Sequence, residues 1–116
     1  MYVAIVGSRD FPDRKMVEDF VWQLPFDTVV VSGGARGVDD WAARAAFNRG
    51  LKTHIINAEW DKYGKSAGFR RNELIVAAAQ VVVAFWDGKS RGTANTIELA
   101  RKAGKPVDIR MPLTPR

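Results

Sequence analysis

The chain contains no cysteine and a single histidine, His54. Disulfides and thiolate-bound metals are thereby excluded, and one imidazole cannot build a tight transition-metal site, so no metal is expected. A chain without cysteine suits a reducing compartment, and the cytoplasm is the expected location. No apolar run reaches the roughly 20 residues that a membrane-crossing helix requires, so no membrane partner is expected. The opening MYVAIVGSRD has no basic n-region and meets charged residues at once; it reads as a first strand and not as a signal peptide. Internal repeats and low-complexity linkers are missing too, and 1–116 reads as one domain. There is no block of Lys or Arg. The net charge of +5 is spread along the chain between acidic residues, so it favours anionic partners only weakly.

What is present is strand and helix alternating five times. Strands are predicted over Tyr2 to Val6, Thr28 to Val31, Lys52 to Ile56, Val81 to Trp86 and Pro106 to Arg110. The first helix starts near Asp13 with the stripe Met16, Val17, Phe20, Val21 and Leu24, and Pro25 closes it. The second buries Val38, Trp41, Ala42, Ala45 and Ala46 and ends at Gly50. A third covers about Ala67 to Ala79, after a long loop from Asn57 to Ser66, and a fourth covers Ala94 to Ala103 with Gly104 beyond it. Trp22 and Trp41 are assigned to packing, and His54 to a structural place on the third strand. Strands one, two and four are continuous apolar runs, as in parallel sheets covered on both faces. The expected fold is α/β: a Rossmann-like three-layer sandwich on a five-stranded parallel sheet of order 3-2-1-4-5. Strand order then reverses beside strand one, where open sheets of this kind bind ligands.

Three loops should meet there. They are Gly7-Ser8-Arg9-Asp10 after strand one, Ser32 to Asp39 after strand two, and Asp87 to Thr96 after strand four. Each combines glycine, which lets a backbone approach a ligand, with a hydroxyl residue and an arginine able to clamp an oxyanion. The common nucleotide signatures nevertheless fail. Gly64-Lys65-Ser66 imitates the end of a P-loop, but Glu59 stands where its first glycine belongs. The dinucleotide frame reads Ser32-x-Gly34-x-x-Gly37, with serine in first place.

GSRDF, SGGARGVDDWA, EWDKYGKSAGFRRN and FWDGKSRGTANTIELA together resemble the YspA-like branch of the SLOG superfamily, the Rossmann-like class of Smf/DNA-processing protein A and Lonely Guy proteins. The likeness spans Gly7 to Val107. It implies a domain that binds nucleotides or nucleotide-derived small molecules, sometimes as a sensor in bacterial stress or phage conflict. By the resemblance, Ser32, Gly33, Gly34, Arg36 and Gly37 match a first phosphate-binding block, and Ser90, Arg91, Gly92 and Thr93 a second. Arg71 and Asn72 match the arginine-bearing helix start. The catalytic glutamate of the Lonely Guy pattern is replaced by Asn95 and Thr96.

The expected ligand is thus a nucleotide-type small molecule, with no certain cofactor. Gly7, Ser8, Arg9 and the two blocks would hold phosphate with Arg71 and Asn72, while Asp87, Asn95 and Thr96 would position sugar or base. Trp60, Tyr63 and Trp86 are the candidates for stacking on a base, although Trp86 ends a buried strand and could equally belong to the core. Two alternatives stay open. An N-glycosidic hydrolase would require a carboxylate from Asp39, Asp87 or Glu98, and Glu98 with Arg71 would be its catalytic residues. Asp39 and Asp40 could instead hold a ribose diol, yet acids in a first helical turn are favoured by the dipole anyway. A single-stranded DNA binder would use the same arginines. A homodimer is also left open, because relatives often pair.

Overall fold

A computed structural model describes residues 1–112. Along the chain come β1 (Tyr2–Gly7), α1 (Arg14–Trp22), β2 (Val29–Ser32), α2 (Val38–Arg49), β3 (Lys52–Ile55), α3 (Trp60–Tyr63), α4 (Ala67–Ala78), β4 (Val81–Phe85), α5 (Arg91–Lys102) and β5 (Val107–Arg110). All strand pairings are parallel, and the order is β3-β2-β1-β4-β5, the one read from the sequence.

The central strands run apolar through 3–6, 29–31 and 81–85 because alternate side chains enter two different cores. Val3 and Ile5 of β1, Val30 of β2, and Val83 and Phe85 of β4 pack under α1 and α2. Ala4, Val6, Val31, Val82 and Ala84 point the other way, against Ile75 and Val76 of α4 and Ile97 and Ala100 of α5. Period-two alternation with both faces covered erases any polar side. Phe85 is fully buried between the rings of Phe11 and Phe20, each at 5.8 Å and edge-on.

Three local readings change. The 57–66 segment is no simple loop: it contains α3 and a 3-10 turn over Gly64–Ser66. The helix expected from Ala94 starts at Arg91, because Asp87 Oδ1 accepts the amides of Lys89 and Ser90, and Ser90 then caps the helix through Thr93. Trp22 is exposed instead of packed. It sits off the buried stripe of Val17 and Val21, with the Arg49 guanidinium 5.5 Å from its ring centre. Trp41 does pack against the first core. His54 lies exposed on β3, the edge strand opposite β5.

Lys105 ties the end of α4 to the rest of the fold. Its ammonium donates to the carbonyls of Val76, Ala77 and Ala79, at the helix end where carbonyls run short of amide partners and carry the negative end of the dipole. Lys105→Met keeps the aliphatic stem and removes the donors, so the urea midpoint should fall by the equivalent of about 1–2 kcal/mol. An unchanged midpoint would show that water replaces the ammonium at no loss.

Candidate functional site

The C-terminal ends of β1, β2 and β4 open onto one cavity of about 530 Å³. Gly7, Ser8, Arg9 and Asp10 enter it from the β1 turn, Ala35 and Asp39 from the β2 turn and α2, and Arg71, Asn72 and Ile75 from α4. Asp87, Lys89, Ser90, Gly92, Thr93 and Thr96 close it from the β4 turn and α5.

Ser8 is the pin of this arrangement. Its amide donates to Phe85 O at 3.1 Å, and its Oγ accepts the Asp87 amide at 3.2 Å. The turns after β1 and β4 are thus locked together at the point where strand order reverses. Burial pushes the Asp87 carboxyl up, but the amides of Lys89 and Ser90 and the Ser8 hydroxyl outweigh it and hold Asp87 below its ordinary value.

On the far wall, Arg71 donates to Gly33 O at 2.8 Å and to Asn72 Oδ1 at 3.0 Å. The buried Asn72 amide reaches Asn95 Oδ1 at 3.0 Å and Gly92 O at 3.4 Å, which joins α4 to the first turn of α5. Ser90 Oγ lies 3.2 Å from Thr93 Oγ1 and accepts the Thr93 amide. The remaining first-turn amides of α5 have no partner within the helix, as at any helix start, and they carry its positive dipole end.

The first glycine block stands differently. Ser32 is buried and occupied, donating to Asp39 O at 2.9 Å and accepting the Gly34 amide. Gly33 and Gly37 are also buried, while Gly34 and Arg36 are exposed, and none of these five residues lines the cavity. The glycines answer close approaches inside the protein. A Cβ on Gly37 would lie 2.5 Å from Arg9 O, and one on Gly7 would lie 2.5 Å from Phe85 O. The acid that faces the cavity here is the protein's own Asp39, in the first turn of α2. Its carboxyl is pushed up to about 6 by burial, against the pull of Arg71, the amides of Ala35 and Gly7, and Arg9.

Several other sequence candidates lie elsewhere. Glu98 is exposed, 3.8 Å from Lys102, and outside the cavity. Arg91 is exposed and Asn95 faces a neighbouring groove with Phe69 and Leu99. Trp86 packs against the second core, and its indole N–H donates to Ser90 O at 3.1 Å. Trp60 is exposed on α3 beside Gly68. Tyr63 lines a second groove of about 590 Å³ between β3 and α4, together with His54, Arg70 and Arg71. Asp10 and Lys89 were not among the candidate site residues although each lies within a singled-out loop; Ala35 and Ile75 carry no chemical signal that a sequence could flag. The described residues include no cluster of metal-ligating side chains and no helix long and apolar enough to cross a membrane.

Fold and cavity together define a Rossmann-like α/β protein with a ligand-sized opening at its topological switch point. The chain belongs to the YspA, cpYpsA-related SLOG family, whose model matches residues 1–63. It is 41% identical over 115 residues to the gene 61 protein of Mycobacterium phage D29, covering 90% of this chain and 92% of that one. Among solved structures, DNA processing protein A from Streptococcus pneumoniae is similar with a TM-score of 0.81 and 26% identity, over 93% of this chain and 49% of that chain. The same protein from Helicobacter pylori, described for its unique single-stranded DNA binding mode, gives 0.74 and 25% over 94% and 64%. This chain therefore spans about half to two thirds of those proteins. TM1055, at 22% identity and a TM-score of 0.69, over 91% of this chain and 71% of that one, shares the fold.

Proposed function

We propose that this protein binds a nucleotide or nucleotide-derived small molecule and acts as a sensor or sequestering module. The phosphate is seated at the start of α5, on the Gly92 amide and the hydroxyls of Ser90 and Thr93, with Arg9 and Arg71 neutralising its charge. Asp87 and Thr96, both lining the cavity, position sugar or base, Thr96 as an acceptor because its hydroxyl proton goes to Gly92 O. The observation that carries this reading is the meeting, in one cavity, of a serine-capped helix start with two arginines and the buried hydroxyls of Ser8 and Thr93. Family membership supports it. Gly33, Gly34 and Gly37 serve by shaping the turns, not by touching phosphate.

Thermal-shift titration with nucleoside monophosphates tests the reading. Stabilisation without release of free base is expected, and Arg9→Ala should weaken binding about tenfold or more, as for a lost charged hydrogen bond. Arg9 is exposed and lines the cavity, so its loss leaves the fold intact. Unchanged affinity would remove Arg9 from the site, and no stabilisation by any nucleotide would overturn the reading. Release of free base would instead make the protein an N-glycosidic hydrolase. Its carboxylate would be Asp39 or Asp87, which line the cavity, because Glu98 does not.

A second reading, single-stranded DNA binding, is favoured by the likeness to the Helicobacter pylori protein and by the position of Arg71. Arg71 lines both the cavity and the groove beside β3, where the Arg70 guanidinium lies 4.3 Å from the Tyr63 ring centre. A strand leaving the cavity would follow that path. Affinity that grows with oligonucleotide length and falls steeply with salt would decide for it.

A further inference from the structure

We propose that Asp39 is a ligand-binding residue that works in its protonated form: its carboxyl donates a hydrogen bond to an anionic oxygen of the ligand, so an oxyanion enters this cavity together with a proton. The proposal rests on the phosphate-site reading above and adds what regulates that site.

Geometry carries it first. Asp39 is only 6% exposed, yet its side chain lines the cavity beside Ser8, Arg71 and Thr93. Its main-chain carbonyl accepts the Ser32 hydroxyl, which fixes the first turn of α2 that carries it. Gly33 makes the room. A Cβ there would lie 2.7 Å from both Asp39 Oδ2 and Arg71 Nη1, so carboxyl and guanidinium both border the space that the missing side chain leaves.

The charges around the carboxyl set its response. Arg71 from α4 and Arg9 from the β1 turn act on it directly, and Asp10, Asp87 and Lys89 from the β1 and β4 turns line the same cavity. Asp40, on its own helix, is turned away in an ion pair with Arg44 at 2.8 Å. Arg71 and Arg9 favour the ionised form, but burial already outweighs them and places the carboxyl at about 6. An arriving oxyanion draws on the same two cations and adds a like charge at short range. Both effects drive the carboxyl further up. Asp87 is held in the opposite direction and stays ionised, so the proton goes to Asp39.

Calorimetric titration with sulfate tests this, because sulfate has no proton to exchange near neutral pH. Measured at pH 7.5 in buffers of different ionisation enthalpy, wild-type protein should take up about one proton per sulfate bound, and affinity should fall about tenfold between pH 6 and pH 7.5. Asp39→Asn, which keeps a donor and removes the charge, should bind sulfate at pH 7.5 at least as tightly as wild type, with no proton uptake and a flat pH profile. Asp39→Ala should be equally flat and weaker than the asparagine variant. Sulfate binding by wild type without proton uptake overturns the proposal alone, and so does a pH slope that survives in Asp39→Asn. The wild-type proton count decides the matter even if a variant fails to fold. An absence of sulfate binding in wild type and both variants overturns the proposal and the phosphate site together.

Discussion

Gly37→Ala is expected to destabilise the protein by about 3 kcal/mol or more, a large share of the roughly 5–15 kcal/mol that holds a domain together. Two effects combine. Gly37 has φ +85° and ψ −132°, a region in which an L side chain is strained. The added methyl would also lie 2.5 Å from Arg9 O and 2.7 Å from Arg9 Cα. Those are backbone atoms of the turn that Ser8 pins to β4, so relief requires moving the cavity wall. Any folded remainder should consequently bind ligand poorly. Gly92→Ala is the matching control. Nothing lies within 4 Å of its ideal Cβ, it sits in the first turn of α5, and alanine there should be neutral or slightly stabilising. Urea denaturation should show a lowered midpoint for Gly37→Ala and an unchanged or raised one for Gly92→Ala; similar midpoints would show that the Gly37 turn can relax.

Asp39→Asn should stabilise the unliganded protein at pH 7.5 by about 2–3 kcal/mol. The folded-state carboxyl lies at about 6 against an ordinary 3.8, so the native chain holds this proton more tightly than the unfolded one. The associated stability is fully present below about pH 4 and is lost as pH rises to about 6. Above that, the native state carries a buried, ionised group. Asparagine removes the ionisation, so the difference between variant and wild type should open between pH 4 and pH 6 and then remain constant. The variant comparison isolates Asp39 from groups of opposite behaviour such as Asp87, whose contribution is lost towards acid pH. Chemical denaturation across pH 4 to 8 checks it. A destabilised Asp39→Asn at pH 7.5 would mean that attraction to Arg71 outweighs the cost of burial.

The fold was legible because its signals are local and repeated. The apolar runs of β1, β2 and β4 and the stripe of Val17 and Val21 announce what they bury whatever their neighbours are. Element ends were less so. The start of α5 depends on an Asp87 side chain folding back onto the Lys89 and Ser90 amides, and spacing alone does not reveal that. Trp22 was misread because an aromatic at a helix end packs or not according to what lies opposite, and here that is the Arg49 guanidinium.

For the site, glycine was the ambiguous letter. In Ser32-Gly33-Gly34-Ala35-Arg36-Gly37 it could mean a cradle for phosphate or space for a neighbouring part of the chain, and the residues themselves are the same in both cases. The sequence by itself determined the parallel sheet, its strand order and the three turns that reach one rim, because apolar periodicity and the handedness of crossovers leave little choice. Only the tertiary structure decided which groups face the opening. It brought Arg71 across from α4 to Gly33, left Arg36, Arg91 and Glu98 outside, and buried Asp39 within, since desolvation and close contact belong to residues far apart in the chain.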